Sequence, residues 1–368
     1  MQLFRCESCG HRVYFENTQC TQCGAVLGFD PDRFEMAAIR PLGDGRWQSV
    51  ATGSQARGVY YQCSNYARQG VCNWLVPESS QEVFCVACRL NQTIPDLSVG
   101  SNKTLWARLE TEKRRLVYSL LKLNLPLAPK TDEEQGLAFR FLADTAPQFN
   151  ESGRVITGHE DGVITLNIAE ADPVTREAMR SQMAEPYRTI LGHFRHESGH
   201  YYWDRLVWNT PWLEPFRQCF GDERQNYSQA LKTLYSQGAA ANWQENHVSA
   251  YASSHPWEDW AETWAHYLHM VDTLETAYQF GLSLHPRVTE DSEKSVEQRF
   301  NPYFDTHIDS LVEHWLPLTY ALNSLNRSMG HGDLYPFVLS PGAVRKLGMV
   351  HDVIHQSPLP AFTVDSMA

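Results

Sequence analysis

Eight cysteines within the first 90 residues limit what this chain can fold into more than any other feature: Cys6, Cys9, Cys20, Cys23, Cys63, Cys72, Cys85 and Cys88. Only Cys219 lies elsewhere in the 368 residues. A disulfide scaffold would be a short secreted chain with cysteines throughout, so this distribution points to metal instead. Cys6-Glu-Ser-Cys9 and Cys20-Thr-Gln-Cys23 are CxxC pairs separated by ten residues. A CxxC turn sets two thiolates about 3.7 Å apart around one tetrahedral Zn²⁺, with Zn–S near ~2.3 Å. Gly10 and Gly24 directly follow the two pairs, where a tight knuckle needs a residue without Cβ. Two such pairs outside a βαβ pattern argue against a redox role. The second quartet, Cys63, Cys72 and Cys85-Val-Ala-Cys88, has knuckle spacing in one half only. It is expected to form a second four-cysteine zinc site, against the alternative of small thiols packing a sheet. Four thiolates saturate the metal and leave no position for substrate, so both zinc ions are expected to be structural.

The remainder of the chain is long enough for a further domain. A hydrophobic content of 42% with 12% aromatics supplies a packed interior. The net charge of −12 argues against non-specific nucleic-acid binding, which rests on clustered Lys and Arg. In the ribbon region Arg5, Arg12, Arg33 and Arg40 are interspersed with Glu7, Glu16, Asp30 and Asp32. The opening MQLFRCESCG has no apolar core of signal-peptide length, and no stretch approaches eighteen apolar residues. A cytoplasmic protein with no membrane partner is therefore expected.

The polar stretch NQTIPDLSVGSNK divides the chain near residue 100. Before it, short alternating runs such as RVYFEN read as β-ribbons; after it, TLWARLETEKRRLVYSLLKLNL has helical spacing. GLAFRFLAD and GVITLNIAE read as strands, and from Asp172 onward most of the chain reads as helix. The expected class is α+β: a β-rich cysteine domain over 1–95, a mostly helical domain with a small sheet over 101–340, and a C-terminal extension over 341–368.

Within ILGHFRHESGHYYWDRL lies His196-Glu197-Ser198-Gly199-His200, an HExxH motif. On a helix the two histidines project from one face and can ligate one metal, and Glu197 can reach a metal-bound water as general base. Asp204 sits too far along the axis to be the third ligand. His193, three residues before His196, is expected to pack or cap. SHPWEDWAETWAHYLHM supplies a distant carboxylate: after His255-Pro256 a helix can begin, with Glu258 and Glu262 at i and i+4 on one face. Glu258 is expected to bind the metal and Glu262 to orient a ligating histidine by accepting its free N–H. The reversed assignment and a role for Asp259 remain open at this stage. The alternative of a solvated acidic face conflicts with the flanking Trp257, Trp260, Trp264 and Tyr267.

HESGHYYWD, the downstream WEDWAETWAHYLH and the Cys-rich ribbon before them together resemble the bacterial zinc-binding metallopeptidases with an N-terminal zinc-ribbon domain, over almost the full length. The two helical motifs are also similar to the lethal-factor branch of the gluzincins, where HExxH is followed by ExxxE. That resemblance implies a zincin-like metallopeptidase domain with one catalytic zinc on His196, His200 and Glu258. It also implies a role for Tyr251, seven residues before Glu258, in hydrogen-bonding the oxyanion. The expected reaction is hydrolysis of a peptide or protein substrate by a zinc-activated water, with Glu197 as general base. GVITLNIAE would then be the edge strand pairing with the peptide. The competing class is a non-catalytic zincin-fold metal-binding protein, against which the intact Glu197 argues. The ribbon domain is open to a protein partner that the sequence does not name.

Overall fold

The computed structural model describes residues 2–51, 58–144, 155, 157–183, 189–285, 296–297, 301–305 and 307–356. The ribbon half opens with β1 (Phe4–Arg5) and β2 (Arg12–Val13), which pair across the first cysteine knuckle. Five antiparallel strands follow, in spatial and chain order alike: β3 (Val26–Asp30), β4 (Glu35–Gly43), β5 (Arg46–Ser49), β6 (Val59–Gln62) and β7 (Leu75–Pro77). Their inward residues, Leu27, Phe29, Met36 and Val76, are buried with Trp74.

The next strand, β8 (Asn91–Thr93), leaves the ribbon and joins a second sheet. It is followed by α1 (Asn102–Lys122), β9 (Ala138–Leu142), β10 (Gly158–Glu160) and β11 (Val163–Asn167). The order of that sheet is β10-β11-β9-β8, with β10 antiparallel and the other pairings parallel. GVITLNIAE therefore forms a strand, but not the edge strand expected of it. β11 is interior and Gly158–Glu160 occupies the edge. The reason is the turn at Asp161-Gly162, both at positive φ, which folds the short segment before β11 back onto it.

The helices are α2 (Pro173–Met183), α3 (Ile190–Leu206), α4 (Leu213–Phe220), α5 (Tyr227–Gln237), α6 (Pro256–Phe280), α7 (Ile308–Ser328) and α8 (Pro341–Gln356). An N-terminal sheet-rich region followed by a mostly helical one is the α+β organisation expected. The two halves share one apolar cluster, however. Trp106, Leu109, Leu116 and Val117 of α1 are buried in the same cluster as Phe15, Phe29 and Trp74 of the ribbon. The Phe15 and Tyr118 rings meet edge to face at 5.4 Å, and Arg114 Nη1 donates to the Val71 carbonyl at 2.5 Å. The described part of the extension expected from residue 341 packs against the helical part of the chain. Leu347, Val350, Val353 and Ile354 of α8 are buried, and Lys346 of α8 forms a buried ion pair with Asp259 of α6. The last part of the expected extension, 357–368, lies outside the described residues.

Candidate metal centre

Thr189 caps α3, its hydroxyl accepting from the Gly192 N–H at 2.9 Å. His255 caps α6 with its ring, accepting from the Trp257 N–H at 3.1 Å, and Pro256 takes the first helical position. The two helices meet at Gly199. A Cβ there would lie 2.8 Å from Ala261 Cα and 3.1 Å from Trp264 Cβ, so only glycine permits this approach. Two indoles fasten the crossing: Trp260 Nε1 donates to the Gly199 carbonyl at 3.0 Å and Trp264 Nε1 to Ser198 Oγ at 3.2 Å. This contact fixes which face of α6 meets the histidines.

His196, His200 and Glu258 each offer one ligand atom, and these atoms lie within 4.8 Å of one another. Glu258 Oε2 is 3.0 Å from His196 Nε2 and 3.5 Å from His200 Nε2. Zinc with bonds of ~2.0–2.1 Å to such atoms spans tetrahedral edges of about 3.3 Å. On the far side of the His196 ring, Nδ1 lies 2.8 Å from Glu262 Oε1, and Glu262 Oε2 accepts from Ser249 Oγ at 2.6 Å. With its proton given to Glu262, a neutral His196 turns the Nε2 lone pair toward Glu258. Glu258 Oε2 is buried and accepts no well-formed hydrogen bond among the described residues. Lone pairs converging in a buried pocket fit a cation. Without one, burial would pull the His196 pKa down, but Glu258 and Glu262 outweigh it and hold the ring well above its ordinary value. Burial likewise works against an ionised Glu258, and His200 and His196 hold it well below the usual carboxylate range.

Of the alternatives left open, Glu258 thus stands beside the two Nε2 atoms and Glu262 stands behind His196. Asp259 turns away to Lys346 and to His247 Nε2 at 3.6 Å. Asp204 is exposed and does not belong to the group formed by His196, His200 and Glu258. Tyr251 begins a short 3₁₀ turn, its ring centroid 5.9 Å from that of His196. Replacing Glu262 with alanine is expected to weaken zinc binding at this site about 10–100-fold while sparing the cysteine sites. Competition with a chelator measures it, and unchanged affinity would remove Glu262 from any orienting role.

Three participants left no signal in the sequence. Tyr227, at the start of α5, donates its hydroxyl to Glu258 Oε1 at 2.6 Å. Ser249 holds Glu262. Glu170, in the 3₁₀ turn after β11, reaches His193 Nδ1 with Oε2 at 2.8 Å. His193 does not merely pack: its Nε2 lies 3.1 Å from Glu197 Oε1. Burial would depress this imidazole, but Glu170 and Glu197 outweigh it and push it up to about 9. Glu197 Oε2 is buried and has no hydrogen-bond partner among the described residues. Beside the centre, the Trp257 ring covers that of His200 at 3.8 Å. A groove of about 540 Å³ runs by β10, lined in part by Arg140, His159, Glu160 and Thr165.

The cysteines gather as two separate quartets. Cys6 and Cys23 sulfurs are 3.7 Å apart, as are those of Cys9 and Cys20, and Cys72 and Cys85 are 3.8 Å apart. These are the edges, about 3.8 Å, of a tetrahedron with ~2.3 Å Zn–S arms, and nearly twice a disulfide's ~2.05 Å. Gly10 and Gly24 both sit at φ +73°, as the knuckles require. The first quartet exposes Cys9 and Cys23; the second is wholly buried, with Cys88 Sγ 3.9 Å from Glu110 Oε2 on α1. Burial drives the Cys85 thiol well up, so a thiolate there calls for a cation.

A helix carrying the sequence HExxH is thus crossed by a second helix that brings a glutamate to both imidazoles, and the three side chains could hold a metal ion. The family described as "Putative zinc-binding metallo-peptidase" matches residues 102–353, and a zinc-ribbon domain family matches 3–99. The chain belongs to this zinc-binding metallopeptidase family. Uncharacterized proteins of Mycobacterium bovis and Mycobacterium tuberculosis are 40% identical over 358 residues, 97% of this chain and 96% of theirs. No solved structure matches the chain. None of the described helices is long and apolar enough to cross a membrane.

Proposed function

We propose that the protein hydrolyses peptide bonds with one zinc ion on His196, His200 and Glu258, and that two further zinc ions on the cysteine quartets hold the fold. The observation that carries this reading is the divided carboxylate of Glu197. One oxygen is anchored and the other is buried beside the candidate ligands with no partner among the described residues. A purely structural site has no use for such a group. Zinc held there supplies Lewis acidity, drawing the pKa of a water it binds toward ~7 and polarising a carbonyl. Glu197 Oε2 accepts the proton of the attacking water and passes it to the departing amine. Glu262, backed by Ser249, keeps His196 in one tautomer, and Tyr227 holds the second oxygen of Glu258. Tyr251 donates its hydroxyl to the carbonyl oxygen as charge develops there. Outer strand β10 and the groove beside it favour an extended peptide over a small amide.

Metal analysis and hydrolysis of a peptide library, run on wild type and Glu197→Ala, test this together. Wild type is expected to hold three zinc ions, one per cluster. The variant is expected to keep all of them and to lose about 10²–10⁴-fold in rate. Zinc at full occupancy without cleavage in wild type would favour a non-catalytic metal-binding protein.

A further inference from the structure

His193 lies one turn before His196 on α3, and nothing in metal binding explains its two partners. Its Nδ1 is 2.8 Å from Glu170 Oε2 and its Nε2 is 3.1 Å from Glu197 Oε1, and both carboxylates are buried. A neutral imidazole has one N–H. It could donate to one carboxylate only, leaving a nitrogen lone pair facing the oxygen of the other. An imidazolium donates to both and sets a positive charge between two negative ones. Glu170 is itself held in place: its Oε1 accepts from the Thr157 hydroxyl and its backbone carbonyl accepts from Arg176 Nη1 at 3.0 Å. Arg108 Nη1 donates to the next carbonyl, that of Ala171, at 3.1 Å.

We infer that His193 is a positioning residue, an imidazolium clamped between Glu170 and Glu197 that aims the free oxygen of Glu197 into the metal centre. The inference rests on the reading of Glu197 as general base. A glutamate has three side-chain torsions, and pinning Oε1 leaves Oε2 one direction in which to accept a proton. No proton passes through His193 in this scheme; it stays charged throughout the cycle.

The test uses the zinc-loaded full chain with ¹⁵N-labelled histidine rings at neutral pH. One ring that disappears in His193→Gln is expected to carry protons on both nitrogens, and Glu170→Gln is expected to leave that ring with one. In kinetics, His193→Gln is expected to lower kcat about 10–100-fold with KM within about twofold and zinc content unchanged. Glu170→Gln, which leaves α3 untouched, is expected to lower kcat in the same way and guards against a His193 variant that fails to fold. A singly protonated His193 ring in wild type would overturn the clamp, as would wild-type kcat in both variants. Absence of cleavage by wild type overturns the hydrolase reading separately, and the protonation of the ring still decides whether the clamp exists.

Discussion

Cys85→Ser is expected to melt the helical half of the molecule together with the ribbon. The second quartet is buried on all four members, and Cys88 lies against Glu110 in the middle of α1. A structural zinc site contributes apparent folding energy of ~10–16 kcal/mol in isolated zinc fingers, comparable to the whole net stability of about 5–15 kcal/mol of a folded domain. Losing one thiolate weakens the hold on zinc, and without the metal the three remaining buried cysteines no longer tie the ribbon together beside α1. The damage does not stop at the ribbon, because one apolar cluster runs from Phe15, Phe29 and Trp74 through Tyr118 of α1 to Phe194 of α3. The helical signal in circular dichroism is expected to fall in a single transition, lowered by about 10 °C or more if the variant remains soluble. Cys9→Ser, at an exposed ligand, is expected to cost less. A helical transition at the wild-type temperature in Cys85→Ser would show that the two halves are energetically separate.

Gly199→Val is expected to abolish the metal centre while leaving both cysteine sites filled. The first added carbon already meets backbone, Ala261 Cα at 2.8 Å and Ala261 O at 3.2 Å, and backbone cannot swing aside as a side chain can. Overpacking of this kind costs ~1–3 kcal/mol, and valine brings two more carbons to the same crossing. The helices must part, which withdraws Glu258 from His196 and His200 and breaks the Trp260 indole bond to the Gly199 carbonyl. Gly199→Ala gains up to about 1 kcal/mol in helix propensity, so its net loss should be smaller. Zinc content is expected to fall from three to two per chain in the valine variant. Three retained zinc ions with undiminished stability would show that the crossing tolerates separation.

The centre was legible wherever its chemistry depends on local spacing. HExxH and the pair Glu258 and Glu262 lie one helical turn apart, and the cysteine knuckles lie three residues apart with glycine behind, so the chain itself presents them on one face. That the acidic stripe is buried was signalled by the flanking tryptophans, whereas which of its two glutamates stands beside the histidines was not. Glu170, Tyr227 and Ser249 were not legible, because each comes from a different loop or helix start and reaches the site only through tertiary packing. β11 was legible as a strand from its alternation, but its place in the sheet was not. Its outer neighbour, Gly158–Glu160, is too short to show any periodicity. In α8, Leu347, Val350 and Ile354 fall at helical spacing and signal a buried face, but the partner of that face was not legible because α6 lies far away in sequence.

Lys346 of α8 reaches back 87 residues to Asp259, the neighbour of Glu258. Asp259 is 1% exposed, and burial pushes its carboxyl up to about 7 even with the ammonium beside it. Until Lys346 arrives, α6 must bury that carboxyl without its counter-ion, which favours the neutral form and withholds the ion pair between the two helices. A nascent chain is therefore expected to settle the helix bearing Glu258 only after Lys346 has left the ribosome. Completion of the candidate centre is thereby tied to the synthesis of α8, whose lysine follows Asp259 by 87 residues.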